Sequence, residues 1–165
     1  MKKLLVILLV PLVLILLVGT NLRLPEEANL PTSTPTAPVQ STYTFAVISD
    51  IHSDLKSLQK SLDQARDDGV GFIVIAGDLT TVGGEKELEA VKSILDASGF
   101  SYFVVPGNHD LWSKGGVNNF KAIFGPDFQS FQKGEVKFIL INNGDGAIGV
   151  DEKQEIWLKQ ELVDC

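Results

Sequence analysis

The sequence is poor in the two residue types that most often bind transition metals. It has one cysteine, Cys165, and two histidines, His52 and His109. A single cysteine excludes an internal disulfide and a cysteine-rich metal site. With so few histidines, the place of each one in the pattern carries information about the chemistry.

Positive charge is also scarce. The chain has 14 lysines and arginines against 21 aspartates and glutamates, which gives a net charge of -7 and a pI near 4.7. Such a chain repels nucleic acid unless a metal ion or a local basic patch reverses the field. We therefore predict no nucleic-acid-binding surface, and the length of 165 residues suits one folded domain.

Long apolar runs are confined to residues 1–24. Lys2 and Lys3 precede an apolar run from Leu4 to Val18, which as a helix is about 22 Å long and short for a hydrocarbon core of roughly 30 Å. Continued to Leu24 it reaches about 31 Å. The segment fits either a cleaved signal peptide or an uncleaved signal anchor, and we favour the anchor. Both interpretations predict a membrane-anchored or secreted protein on the extracytoplasmic side.

A second segment, residues 25–42, contains four of the seven prolines and almost no large apolar residue. It cannot bury enough surface to fold, so we predict an extended linker. The sequence thus divides into a signal anchor or signal peptide over 1–24, a proline- and threonine-rich linker over 25–42, and a folded domain over 43–165.

Three apolar runs alternate with helical patterns after residue 43. They read YTFAVIS, GFIVIAG and FSYFVV. Runs that are apolar on both faces and alternate with helices predict buried parallel strands in right-handed β-α-β units, and hence an α/β fold. A fourth strand is predicted over Val136 to Asn142 and a last helix from about Glu152, with Asp151 and Gln154 as its capping box.

Polar side chains follow each of the three strands. Asp50 and His52 follow the first run, Asp78 follows the second, and Asn108 and His109 follow the third. Because the carboxyl ends of parallel strands share one edge of the sheet, we expect these residues to converge. Asp50 and His52 are two residues apart, and in an extended segment that spacing points both side chains the same way.

The residue types in this set indicate a chemistry. Carboxylates, imidazole and amide oxygen are ligands without sulfur, and they suit Mn, Fe, Zn, Ni or Mg. A bound ion lowers the pKa of water from about 15.7 to about 7, and two ions about 3.5–4 Å apart can clamp a displacement at phosphorus. Taken singly, each aspartate is better explained as a cap or turn former. The three motifs in order predict a metal-dependent hydrolase.

The motifs S-D-I-H, A-G-D-L and P-G-N-H-D resemble the first three blocks of the calcineurin-like metallophosphoesterase family, over about Thr44 to Asn142. The resemblance implies a partial αββα sandwich built of β-α-β-α-β units, preceded here by an N-terminal hydrophobic helix. It also implies a centre of two divalent ions, chosen from Mn, Fe, Zn or Ni. The substrate would be a phosphomonoester or phosphodiester, hydrolysed by a metal-bound hydroxide.

The resemblance implies metal ligands residue by residue. Asp50 and His52 correspond to ligands of the first ion, Asp78 to the ligand that bridges both ions, and Asn108 to a ligand of the second. The family pattern continues with another histidine and a G-H-x-H block, whereas this chain has no histidine after His109. The first ion therefore keeps three ligands in this chain and the second keeps two.

The resemblance implies catalytic roles for His109 and Asp110. His109 would stabilise the transition state and help to protonate the leaving oxygen, and Asp110 would orient and polarise His109. We therefore predict an exported, membrane-anchored, metal-dependent phosphoesterase. This chain would be its N-terminal portion, with the domain over 43–165 incomplete at its C-terminus and weak or inactive by itself. The alternative is a degenerate, non-catalytic module of the same fold that acts by binding.

Two further features receive structural explanations. Trp112 is predicted to pack beside the P-G-N-H-D motif, where it could also wall a substrate pocket. The stretch N-N-G-D-G at 142–146 resembles a turn rather than a calcium loop, because the rest of an EF-hand pattern is missing. Neither feature is assigned a role in the chemistry.

Overall fold

The computed structural model describes residues 43–163. The hydrophobic helix predicted over 1–24 and the linker predicted over 25–42 lie outside the described residues. Within residues 43–163, no helix has both the length and the apolar character needed to cross a bilayer.

Strands and helices alternate along the chain, as the apolar runs predict. Their bounds are β1 Phe45–Ile48, α1 Leu55–Asp67, β2 Phe72–Ala76, α2 Glu85–Ala97, β3 Ser101–Val105, α3 Val117–Phe124, β4 Gln129–Lys133, β5 Val136–Leu140 and α4 Glu152–Val163, with a short 3₁₀ turn His109–Leu111 before α3. The first three strands form a parallel sheet in the order β1-β2-β3, and β4 and β5 form an antiparallel pair. The β-α-β-α-β arrangement is therefore confirmed.

The fourth predicted strand is present as β5, but it ends at Leu140 and belongs to a hairpin with β4. The sequence pattern predicts neither β4 nor α3. Strand β4 reads QSFQK and has one large apolar residue, Phe131. It is a strand because Phe131 pairs across the hairpin with Phe138, a tertiary cause that the local pattern does not contain.

One face of the parallel sheet is covered by helices. The side chains that α1, α2 and α3 bury against it are Leu58, Leu62, Ala65, Leu88, Val91, Leu95 and Phe120. Burying one large apolar side chain contributes roughly 1.5–3 kcal/mol. Leu55 and Ile94 lie at the partly buried margins of these helix faces. This packing fixes the three strand ends relative to one another.

The opposite face of the sheet packs against the hairpin through aromatic rings. Phe72 of β2 meets Phe131 and Phe138 edge to face, with ring centroids 5.7 and 5.4 Å away. Helix α4 contacts the hairpin region from the other side, where Trp157 lies 4.9 Å from Phe128. The layers therefore follow the order α, β, β, α, which fits the partial sandwich that the resemblance implies.

Candidate metal centre

The chain leaves β1 through a turn with an unusual backbone. Asp50, His52 and Ser53 have φ values of 56°, 46° and 63°, a left-handed conformation that costs a non-glycine residue on the order of 1–3 kcal/mol. Two backbone bonds of 3.0 Å hold the turn, from His52 N to Asp78 O and from Ser53 N to Leu79 O. The first motif is thus tied directly to the second.

The turn brings the side chains of the first motif together. Asp50 Oδ1 lies 3.9 Å from His52 Nε2, and the Asp50 side chain is 70% exposed. The two side chains are close, as expected, but the expected reason was wrong. The segment is not extended, because both residues adopt left-handed φ values, and the turn rather than the alternation of a strand sets their directions.

Asp78 follows β2 and is also left-handed, with a φ of 52°. Its Oδ1 accepts a hydrogen bond of 3.0 Å from His109 N, which joins the second motif to the third. The loops approach closely here: a Cβ on Gly77 would lie 2.8 Å from Gly107 Cα, and a side chain at Gly107 would collide with the Asp78 carboxylate. Glycine at both positions lets the carboxylate sit between the loops.

Asp110 holds the same two loops together from inside. Its side chain is fully buried and accepts hydrogen bonds from Leu79 N at 3.1 Å, Thr80 N at 2.9 Å, Thr80 Oγ1 at 2.7 Å and Gly107 N at 2.9 Å. Our prediction that this carboxylate orients and polarises His109 is therefore corrected. Asp110 points into the interior, and its oxygens are engaged by the loop after β2.

The partner of His109 is a backbone carbonyl. His109 Nδ1 lies 2.9 Å from Thr81 O, and because a carbonyl only accepts, Nδ1 carries the proton in this arrangement. In the neutral ring Nε2 then has a free lone pair. Thr81, which the sequence motifs do not single out, thus takes the orienting part that was expected of Asp110.

Three of the predicted side chains form one cluster. His52, Asp78 and His109 each offer a ligand atom, and these atoms lie within 4.8 Å of one another. The two imidazole rings meet edge to face with centroids 4.4 Å apart. The donor set fits a borderline divalent metal.

Asn108 lies in a cleft of about 650 Å³ that Asp78 and Gly107 also line. It is exposed, and its side-chain amide makes no hydrogen bond to any residue within 43–163. The amide is therefore available to a ligand, as a metal-binding asparagine must be.

Trp112 lies beside the motif as expected, but it is not packed away. It is 60% exposed, its ring centroid lies 3.8 Å from that of His109, and it lines the cleft with Asn108. Of the two positions considered for Trp112, the ring occupies the one in the wall of the cleft.

The loop after β5 forms the facing wall and is held by a buried polar network. Gln154 Oε1 accepts from Asn142 N and Gln154 Nε2 donates to Asn142 O, both at 2.9 Å. Asn142 Nδ2 donates to Asp127, which also pairs with Lys121 at 2.9 Å. Burial by itself raises the pKa of Asp127, but the hydrogen bonds from Lys121 and Asn142 outweigh it and hold the pKa below its usual value.

This network alters the predicted capping box of Asp151 and Gln154, and it places the loop after β5 against the third motif. Gln154 N donates the expected capping hydrogen bond to Asp151 Oδ1 at 2.8 Å, but the Gln154 side chain turns to Asn142 instead of closing a capping box. The loop it holds lies against the third motif, since a Cβ on Gly144 would lie 2.7 Å from Gly107 C. Spacing in the sequence gives no signal for this loop.

Comparison with known proteins agrees with the geometry of the site. A family model described as calcineurin-like phosphoesterase matches residues 43–163. No curated protein shows significant similarity to the chain. The three strand-end motifs and the cluster of His52, Asp78 and His109 fall inside the matched range.

Proposed function

The chain belongs to the calcineurin-like phosphoesterase family, and we propose that it is part of an exported, membrane-anchored enzyme that hydrolyses a phosphomonoester or phosphodiester with two divalent ions. Family membership and a nitrogen-and-oxygen donor set support a metal-dependent phosphoesterase. The observation that carries the proposal is the cluster of His52, Asp78 and His109 at the carboxyl edge of the parallel sheet.

The proposed ligands follow from the positions of the strand-end side chains. Asp50, His52 and Asp78 hold the first ion, which the 3.9 Å approach of Asp50 to His52 supports. Asp78 and Asn108 hold the second ion, which the free amide of Asn108 in the cleft supports. When bound, such ions activate water and polarise the phosphoester.

His109 has the proposed role of stabilising the phosphoryl oxygens and, when its ring is protonated on both nitrogens, of giving the Nε2 proton to the leaving oxygen. The contact of Nδ1 with Thr81 O fixes the ring, so that Nε2 is the atom free to face the substrate. Asp110 acts indirectly in this proposal. Its bonds to Leu79 and Gly107 keep the loops that carry Asp78 and His109 at a fixed separation.

Export and anchoring rest on the sequence, with Lys2 and Lys3 before the apolar run and a linker after it. The proposal that a longer protein completes the domain has support in the fold. Within residues 43–163, β1 pairs only with β2, and its side chains Phe45 and Val47 are 40% and 58% exposed. An open apolar strand edge is normally covered.

The test is hydrolysis of 4-nitrophenyl phosphate by the full-length protein with added Mn²⁺. We expect metal-dependent turnover, background activity for Asp78→Asn, and a fall in kcat of about 10²- to 10⁴-fold for His109→Ala, the range for loss of a general acid. Asp67→Asn, on the exposed side of α1, is the matched control and should retain full activity.

Metal analysis separates the enzyme from a non-catalytic module. The enzyme should retain two equivalents of Mn²⁺ after dialysis, and Asn108→Ala should lower this number. Equal activity of His109→Ala and the unaltered protein would contradict the assigned role. Absence of both retained metal and turnover would support the degenerate binding module instead.

A further inference from the structure

The exposure of Trp112 is not explained by the fold. Indole rings bury large apolar surfaces when the fold allows it, yet Trp112 is 60% exposed. The imidazole of His109 lies against the indole, with ring centroids 3.8 Å apart and an interplanar angle of 36°. The indole N–H has no acceptor within residues 43–163, so no hydrogen bond in this part of the chain accounts for the placement of the ring.

The ring stands directly beside the candidate metal centre. His109 contacts His52 edge to face on one side and Trp112 on the other, so Trp112 is one ring beyond the donor cluster. It shares the cleft with Asp78 and Asn108. A substrate with its phosphorus at these donors therefore has room to place its leaving group against the indole.

The cleft has room for more than a phosphate. Its volume of about 650 Å³ falls within the roughly 300–1,000 Å³ typical of sites for whole small molecules. The loop Asn143–Gly146 also lines the cleft, and a Cβ on Gly146 would meet no heavy atom within 4 Å, so the lining is open at this position.

The charge of the cleft limits the leaving group. Lysine and arginine are missing from its lining in the part of the chain that the structure describes, and Asp78 and Asp145 are its ionisable residues. A leaving group with further phosphates would meet repulsion here. A single exposed ring stacks a flat group, whereas quaternary cations are recognised by cages of several aromatic rings.

We propose that Trp112 is the stacking platform for the leaving group, and that the preferred substrates are phosphoesters of a planar, uncharged alcohol such as a nucleoside. This inference rests on the proposed function and names the substrate class of the same cleft. Stacking of one base on an aromatic side chain corresponds to about 5- to 150-fold in affinity.

The test is isothermal calorimetry on the full-length protein with Mn²⁺ present. Four probes are compared: inorganic phosphate, glycerol 3-phosphate, phosphocholine and adenosine 5′-monophosphate. We expect the adenosine monophosphate to bind about 5- to 150-fold more tightly than glycerol 3-phosphate. In Trp112→Ala this ratio should fall close to one, and Trp112→Phe should restore part of it. Trp157→Phe, on α4 and away from the cleft, should keep the full ratio.

Each contrary result has a distinct meaning. Equal affinity for glycerol 3-phosphate and adenosine monophosphate, with inorganic phosphate bound, would overturn the stacking platform and leave the phosphoesterase standing. Tighter binding of phosphocholine than of adenosine monophosphate would also overturn it, in favour of a cation site. Failure of Mn²⁺ to support any binding of inorganic phosphate would overturn the proposed function and this inference with it.

Discussion

The two walls of the cleft are held by different kinds of buried side chain. On the metal side, the Asp110 carboxylate accepts four hydrogen bonds, three of them from the backbone of the loops after β2 and β3. On the facing side, the Gln154 amide both accepts from and donates to the backbone of Asn142. No buried polar side-chain atom within residues 43–163 lacks a hydrogen-bond partner.

The two side chains, Asp110 and Gln154, differ in how many backbone groups they can bind. A carboxylate is an acceptor with several lone pairs, so Asp110 can bind donors from two loops at one point and lock the loops that carry Asp78 and His109. An amide pairs with one peptide group, so Gln154 fixes Asn142 and leaves the glycine-rich residues after it less constrained. The wall that carries Asp78 and His109 should therefore be rigid, and the wall formed by the loop after β5 should be more adaptable.

Removing the carboxylate should have the largest effect on stability. Asp110→Ala leaves the N–H groups of Leu79, Thr80 and Gly107 without their acceptor, and each such group costs about 1–3 kcal/mol. We expect the free energy of unfolding to fall by more than about 3 kcal/mol, measured by urea denaturation.

Two further variants keep this prediction informative if the alanine variant does not fold. Asp110→Asn retains one acceptor oxygen and should show a smaller loss than the alanine variant. Asp67→Ala, exposed on α1, should change stability by less than about 0.5 kcal/mol. If Asp110→Asn is as stable as the unaltered protein, the carboxylate does not hold the two loops together.

Removing the amide should have a smaller and more local effect. Gln154→Ala unpairs both the N–H and the C=O of Asn142, so we expect a loss of about 1–3 kcal/mol. The amide hydrogens of Asn142 and Gly144 should exchange faster with solvent, while those of Leu79 and Thr80 stay protected. Gln64→Ala removes a comparable bond on the surface of α1 and should leave both sets of rates unchanged.

The convergence of the site residues could be predicted because it follows from topology. Once three apolar runs alternate with helices, Asp50, Asp78 and Asn108 must meet at one edge of a parallel sheet. The helix faces and the last helix were predictable for the same reason, since their apolar positions recur with the period of the helix.

The directions of individual side chains could not be predicted, because they depend on backbone angles in the turns. Asp50, His52 and Asp78 all have positive φ values, so rules for extended segments fail there. His109 and Asp110 are adjacent in sequence, yet one faces the site and the other the interior. The hydrogen bonds of the Gln154 side chain could not be predicted either, because tertiary packing brings its partner Asn142 next to it.

The smallest expected effect is a pH dependence of the free energy of unfolding that arises from Asp127, in the network that holds the loop after β5. The pKa of Asp127 is held below its usual value, with burial opposing and the bonds from Lys121 and Asn142 prevailing. For an acid with a lowered pKa in the folded state, the stability it contributes is present above its unfolded pKa near 4 and is lost as pH falls through the folded value. One such group changes the free energy of unfolding by at most about 1.4 kcal/mol per pH unit.

Urea denaturation between pH 5 and pH 2.5 measures this contribution. The unaltered protein should lose stability more steeply over this window than Asp127→Asn, which has no carboxyl group to protonate at this position. The protection of the Gly144 amide, relative to its intrinsic exchange rate at each pH, should also fall at the acid end, because protonation of Asp127 weakens the network that fixes Asn142. If the free energy of unfolding changes equally with pH in the two proteins, the ion pair with Lys121 does not help to hold the loop after β5. The Gln154 amide would then be the group that holds it.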